Sequence, residues 1–192
     1  MPSRLLAFAG SARSGSYNHK LIEAASAVAR DAGAAVTVLS MQDYPLPLFD
    51  EDFEAKETPD NATRLRDLFL EHDGLLIASP EYNSSLSPML KNTIDWVSRP
   101  ADNQPMLAAF RGKVAGIMAA SPGALGGLRG LVHLRSILSS IGVLVIPDQV
   151  AIGSAFQAFD DSGKLTDEGN TKRLNGMIES LCQTVKRLKS GA

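Results

Sequence analysis

The chain has 192 residues, of which 44% are hydrophobic and 21% are charged, values typical of a soluble globular domain. We therefore predict a single domain over residues 1–192 with enough length for a sizeable core. The formal net charge of −2 and the scattered basic residues argue against nucleic acid or an anionic membrane surface as a partner.

The cysteine count narrows the redox and metal chemistry that one chain can carry. Cys182 is the only cysteine, so neither an intramolecular disulfide nor a thiolate metal cluster can form. It lies in an apolar-periodic stretch, and we interpret it as a small, partly buried hydrophobic side chain. No apolar run approaches the ~20 residues that a membrane span needs, and no signal-peptide pattern opens the chain. We expect no membrane insertion and, by default, a cytoplasmic location.

The order of elements indicates an α/β fold. Apolar runs predict strands at residues 5–9, 35–39, 74–79, 113–120 and 143–146, and helical periodicity or capping predicts helices at 18–32, 59–71, 87–96, 126–139 and 167–189. Alternating strands and helices predict a parallel sheet covered on both faces, a three-layer α/β/α arrangement. Five strands favour the flavodoxin-like order 2-1-3-4-5.

Other segments are predicted to be irregular or solvated. The loop at residues 41–58 contains the phrase Tyr-Pro-Leu-Pro-Leu-Phe, which excludes a helix or a central strand. Its acidic run at 50–54 is interpreted as a solvated loop, and residues 153–163 as a surface excursion. Because His19, His72 and His133 lack metal-ligand spacing, no metal site is predicted.

In an open parallel sheet, ligands bind beyond the carboxyl ends of the strands, near the switch in strand order. The loops after Ala9, Ser79 and Ala120 should therefore converge. The first, residues 10–18, combines two glycines, three serines and Arg13 before a helix. Hydroxyls, backbone N–H groups and a guanidinium at a helix N-terminus suit a terminal phosphate. An ordinary turn with a helix cap is the alternative.

The second and third loops have the composition of a site for a planar ring. In residues 79–92, Tyr82 offers an aromatic face and Asn83 an amide that donates and accepts. Glu81 could cap an N–H group, bond a sugar hydroxyl or remain solvated. In residues 120–129, three glycines allow the backbone to approach a ligand, although such a loop can also serve packing alone.

These three loops make the chain resemble the NAD(P)H-dependent FMN reductase family, which includes quinone, azo-dye and chromate reductases. The matching segments are residues 10–18, 79–96 and 121–127, within a resemblance from about residue 4 to 150. The resemblance implies that non-covalent FMN is bound by Ser11, Arg13, Ser16, Asn18, Pro80, Glu81, Tyr82, Asn83, Ser121, Pro122 and Gly123. It also implies homodimers or homotetramers, with NADPH or NADH as co-substrate.

The function implied is two-electron ping-pong hydride transfer from NAD(P)H to quinones, free flavin or similar small acceptors. The cofactor carries the difficult chemistry, so no side chain is predicted to be catalytic. Two other classes stay open at this point: a flavodoxin-like electron carrier without NAD(P)H oxidase activity, and a binding module that uses the fold without flavin. The sequence leaves the natural acceptor and the NADH or NADPH preference unassigned.

Overall fold

The computed structural model describes residues 2–101 and 104–190. Its strands are β1 (Arg4–Ala9), β2 (Ala35–Leu39), β3 (Gly74–Ala78), β4 (Glu81–Tyr82), β5 (Ser85–Leu86), β6 (Val114–Ala120) and β7 (Leu144–Ile152). Its helices are α1 (Tyr17–Asp31), α2 (Glu51–Glu54), α3 (Asp60–Glu71), α4 (Pro88–Val97), α5 (Leu128–Ser140) and α6 (Glu168–Ser190), and a short 3-10 helix spans Met41–Asp43. Within these residues, no helix is both long enough and apolar enough to cross a bilayer.

Five strands form one sheet in the order β2-β1-β3-β6-β7, and every neighbouring pair is parallel. Counted among the five long strands, this is the predicted order 2-1-3-4-5, and the flavodoxin-like α/β fold is confirmed. Because the order reverses beside β1, the loops after β1, β3 and β6 meet at the carboxyl edge of the sheet.

Alternate residues of the central strands point into two separate apolar clusters, as the two-residue period of a strand requires. Leu5 and Ala7 pack with α1 and α6, whereas Leu6 and Phe8 pack with α3, α4 and α5. Helices therefore cover both faces, and the central strands carry apolar residues on both sides.

Three features differ from the sequence prediction. β7 continues to Ile152, beyond the predicted end at residue 146, and contains Pro147 at an irregular pairing with β6. As the last strand of the sheet it tolerates a proline, and Arg135 donates to the carbonyls of Val145 and Ile146 at 3.2 and 2.8 Å. The two other differences are the antiparallel hairpin β4–β5 and the short helices at Met41–Asp43 and Glu51–Glu54 (α2), all in segments predicted to be loops.

The proline-rich loop around residues 44–49 is irregular as predicted, and it is held against α4. Asn92 accepts a hydrogen bond from the Phe49 N–H at 2.8 Å and donates to the Pro47 carbonyl at 2.9 Å. The Trp96 indole N–H donates to the same carbonyl at 2.8 Å, and Phe49 packs edge-on against the indole. Asn92 and Trp96 therefore anchor this loop.

Candidate functional site

A cleft opens at the carboxyl edge of the sheet, where the loops after β1, β3 and β6 converge. It is lined by Ser11, Arg13, Ser16, Tyr17, Asn18, Pro80, Glu81, Tyr82, Ala120, Ser121 and Pro122. All the predicted site residues except Asn83 and Gly123 are in this lining. Tyr17 and Ala120 were not predicted as site residues.

Three serines of the cleft share one hydrogen-bond pattern. The hydroxyl oxygen of each accepts the backbone N–H two residues later, the geometry of a small Ser turn. These are Ser11, Ser16 and Ser121, with N···O distances of 3.2, 3.3 and 3.3 Å. Since each oxygen is used as an acceptor, each hydroxyl proton remains available to donate to a bound group.

The first loop ends at the N-terminus of α1 without a protein carboxylate to balance it. Ser16 is the N-cap, and no acidic residue lies in the first turn. Within the described chain, Arg13 makes no ion pair and its side chain is exposed. A guanidinium and a helix N-terminus both favour negative charge, so this end of the cleft is suited to an anion.

Asn18 connects the first loop to the third. Its side-chain amide donates to the Ala120 carbonyl at 3.0 Å, and its side-chain oxygen accepts from the Ala120 N–H, also at 3.0 Å. Both residues are almost fully buried. The sequence prediction placed Asn18 at a phosphate, whereas in the fold its amide pairs with the end of β6.

Glu81 lies at the N-terminus of α5. Its carboxylate accepts from the Gly130 N–H at 3.1 Å and from the Arg129 side chain at 2.9 and 2.6 Å. Burial alone would raise the pKa of Glu81, but the hydrogen bonds from Arg129 and Gly130 outweigh it, and the net shift of the pKa is downward. Of the three sequence interpretations of Glu81, the capping role is the one observed.

Asn83 occupies the tip of the β4–β5 hairpin. Asn83 and Ser84 have φ values of 50° and 66°, which is the pattern of a two-residue type I′ turn. Asparagine tolerates this left-handed conformation better than most residues. Tyr82, one residue earlier, is half exposed beside the cleft.

The three glycines of the third loop differ in how closely their surroundings would crowd a Cβ atom. A Cβ at Gly126 would lie 2.7 Å from the Ile152 backbone, and one at Gly127 would lie 2.7 Å from the Ala119 Cβ. Both residues also have positive φ, so packing and backbone conformation account for them. Gly123 is different, because a Cβ there would meet only the Ser121 side chain, at 3.7 Å.

The three histidines have structural hydrogen bonds. The Nε2 of His19 donates to the Ser11 carbonyl at 2.7 Å, His72 bonds Leu68 and Thr37, and His133 pairs with a hydroxyl at 3.0 Å. Among the described residues, no group of three or more His, Cys, Asp or Glu side chains could hold a metal ion.

Comparison with known proteins shows that this chain is similar to FMN reductases and quinone reductases. The sequence pattern of the family described as NADPH-dependent FMN reductase matches residues 3–157. An NAD(P)H-dependent FMN reductase of Pseudomonas aeruginosa is 36% identical over 187 residues, 97% of each chain. An NAD(P)H:quinone oxidoreductase of Solanum tuberosum is 35% identical over 184 residues, 94% of this chain and 91% of that one.

Comparison of this fold with solved structures agrees with the sequence comparison. The structure of a flavoenzyme NAD(P)H:(acceptor) oxidoreductase from Paracoccus denitrificans superimposes with a TM-score of 0.83. The sequence identity of that pair is 29%, and the alignment covers 96% of this chain and 98% of the other.

Proposed function

Since the chain belongs to the NADPH-dependent FMN reductase family, we propose that it reduces quinones, free flavin or similar small acceptors in a two-electron ping-pong cycle. It is an NAD(P)H-dependent oxidoreductase whose cofactor is FMN. When bound, FMN supplies the redox chemistry, and the protein supplies binding, orientation and electrostatics.

The donor set at the first loop is the observation that carries the proposal. Two buried serine hydroxyls keep their protons free, the first turn of α1 has no acidic residue, and Arg13 has no carboxylate partner in the described chain. These groups fit the chemistry of a phosphate monoester. In the proposal, Ser11, Arg13 and Ser16 hold the FMN phosphate.

The other two loops supply groups that suit the rest of FMN. Pro80 and the half-exposed Tyr82 offer apolar surface beside the cleft, and Ser121 keeps a free hydroxyl proton. We assign these residues, with Pro122, to the ribityl chain and ring, and the hairpin tip at Asn83 and the open Gly123 backbone to the ring edges. Asn18 and Glu81 support the loops in this proposal. No side chain is assigned to proton transfer.

Titration of flavin-free protein with FMN tests the binding step. We expect tight one-to-one binding, followed by rapid bleaching of the flavin absorbance when NADPH or NADH is mixed in anaerobically. An acceptor panel of quinones, free flavin, azo dyes and chromate then identifies the oxidant, and initial rates at varied substrate pairs should give the parallel lines of a ping-pong cycle. Failure to take up FMN would remove the proposal.

A flavodoxin-like electron carrier is the competing function. Flavodoxins place many acidic residues around the flavin, and the lack of such residues at this cleft disfavours that function. Glu81 is the sole carboxylate among the residues that line the cleft, and Arg129 neutralises it. Flavin uptake without steady NAD(P)H oxidation in the presence of any acceptor would favour the carrier.

We further propose assembly as a homodimer or homotetramer and residence in the cytoplasm. Leu128 and Val132 are four residues apart on α5, and 41% and 59% of their surfaces are exposed, so they share one outward apolar face. Light scattering should show a smaller species for Val132→Asp, whereas the control Leu188→Asp, an exposed position on α6, should keep the assembly. An unchanged mass for Val132→Asp would exclude this face as the interface.

A further inference from the structure

Ala120 is the last residue of β6, and its backbone lacks a strand neighbour on one side. The β3–β6 pairing ends at Ala78 opposite Met118, two residues before Ala120. On the other side, the Ser121 N–H already donates to the Ile152 carbonyl at 3.0 Å. The Ala120 N–H and carbonyl therefore project beyond the end of β3, where no backbone group of the sheet can form hydrogen bonds with them.

The Asn18 side chain takes the place of the absent strand. It accepts from the Ala120 N–H and donates to the Ala120 carbonyl, both at 3.0 Å, as a neighbouring backbone would. Ala120 is only 4% exposed and Asn18 only 3%, so both hydrogen bonds are shielded from solvent in the intact protein, and leaving them unmade would cost free energy.

We propose that Asn18 is a positioning residue that fixes the third loop relative to the phosphate loop, and that it acts on the whole flavin rather than on its phosphate. The residues proposed to hold the phosphate lie in the loop just before α1, whose N-cap is Ser16, and β6 leads directly into Ser121 and Pro122 on the opposite wall of the cleft. The two hydrogen bonds therefore set the distance between the walls. This inference rests on the proposed flavin function.

Riboflavin, which is FMN without its phosphate, separates the two roles. We expect Asn18→Ala to raise the dissociation constants of FMN and riboflavin by the same factor, about tenfold, because the third loop loses the two hydrogen bonds that hold it in position and must then be ordered on binding. The visible circular dichroism of the bound flavin should change as well. The reference variant Arg13→Ala should weaken FMN by at least the same factor and leave riboflavin within about twofold.

Weaker FMN binding with unchanged riboflavin binding in Asn18→Ala would identify a phosphate contact and overturn the inference, and so would unchanged affinity for both. If the wild-type protein binds neither compound, the proposed function fails, and the positioning of flavin fails with it.

Amide hydrogen exchange in the flavin-free wild-type protein tests the hydrogen bonds without any ligand or substitution. We expect the Ala120 amide to be protected to the same extent as the Ile117 amide in the middle of β6. In Asn18→Ala, the Ala120 amide should exchange at least tenfold faster while the Ile117 amide keeps its rate. A wild-type Ala120 amide that exchanges like the loop amides would overturn the inference even if the variant failed to fold.

Discussion

Arg13 offers a charge that no protein group neutralises within the described residues. Its replacement by alanine removes a charge-assisted contact, and we expect FMN affinity to fall by ~1.5–3 kcal/mol, roughly 10- to 150-fold. Fluorescence titration of flavin-free protein measures this. Arg30→Ala, which changes an exposed arginine in the last turn of α1, the helix that follows the loop of Arg13, is the matched control and should bind FMN normally. Equal affinities for both variants would remove Arg13 from the phosphate site.

Glu81 should stabilise the fold in a pH-dependent way. Its folded-state pKa is depressed below 4.5, so its contribution is present above that value and is lost as the pH falls through the folded pKa. We expect Glu81→Gln to lower the free energy of unfolding by about 1 kcal/mol at neutral pH, since Arg129 is largely exposed. Urea unfolding of both proteins at neutral and acidic pH should show the difference shrink in acid. A constant difference would contradict the assignment.

At the residue scale, the sequence predicted donors but not their partners. Ser11, Arg13 and Ser16 could be placed near an anion because their types and spacing carry that chemistry on their own. The partners of Glu81 and Asn18 are 48 and 102 residues away in the chain. No local pattern shows such pairs, and the same side chains would suit a ligand equally well before the fold is known.

The start of α5 depends on backbone that only glycine can adopt. Gly127 has a φ of 90°, and a Cβ there would lie 2.7 Å from the Ala119 Cβ. We expect Gly127→Ala to destabilise the fold by roughly 2–4 kcal/mol, from left-handed strain and overpacking together. In contrast, Gly176→Ala in the interior of α6, where a Cβ meets nothing within 4 Å, should stabilise it by about 0.5–1 kcal/mol. Denaturant midpoints measure both, and equal midpoints would contradict the packing role.

Element prediction succeeded for the buried central strands and for the regular edge strand β2, and it failed for the two-residue strands and for the irregular part of β7. β3 and β6 are apolar throughout, and β1 is apolar after Arg4, because helices cover both faces, so their sequence pattern is unambiguous. Each strand of the hairpin has two residues, which is too short for any periodicity. The second half of β7 contains Pro147 and Asp148, which indicate a loop unless the strand is known to lie at an edge.

The amino edge of the sheet, opposite the cleft, should control stability at alkaline pH. Lys113 is 7% exposed, and burial lowers its pKa to about 8, against a raising effect of Asp73. An unfolded lysine keeps its proton up to about pH 10.4, so the unfolded state binds more protons between these values, and stability rises with pH across that window. We expect Lys113→Met to remove the rise.

Unfolding free energies measured from pH 7 to 10.5 in wild type and Lys113→Met test this expectation. Lys172→Met, at an exposed position on α6, is the control and should keep the wild-type slope. A parallel pH profile for Lys113→Met would show that Lys113 titrates normally.

For the whole molecule, the strand order was predicted from the alternation and the number of the elements, because crossover handedness leaves few arrangements and five strands favour the flavodoxin-like one. The same order predicted which loops meet, and therefore the location of the cleft. Five other statements stay predictions: the single domain over residues 1–192, the assignment of individual residues to FMN, the ping-pong cycle, the oligomeric state and the cytoplasmic location. Assembly cannot be derived from one sequence, since an exposed apolar helix face does not reveal what covers it.

The irregular stretch of β7 has a consequence for self-association. Proline lacks an amide proton, and the pairing of β7 with β6 shifts register around Pro147. A β-strand from another molecule that pairs with this edge would meet an interrupted row of backbone hydrogen-bond donors and acceptors. Strand-to-strand association of copies through β7 is therefore disfavoured, which leaves β2 as the regular edge of the sheet.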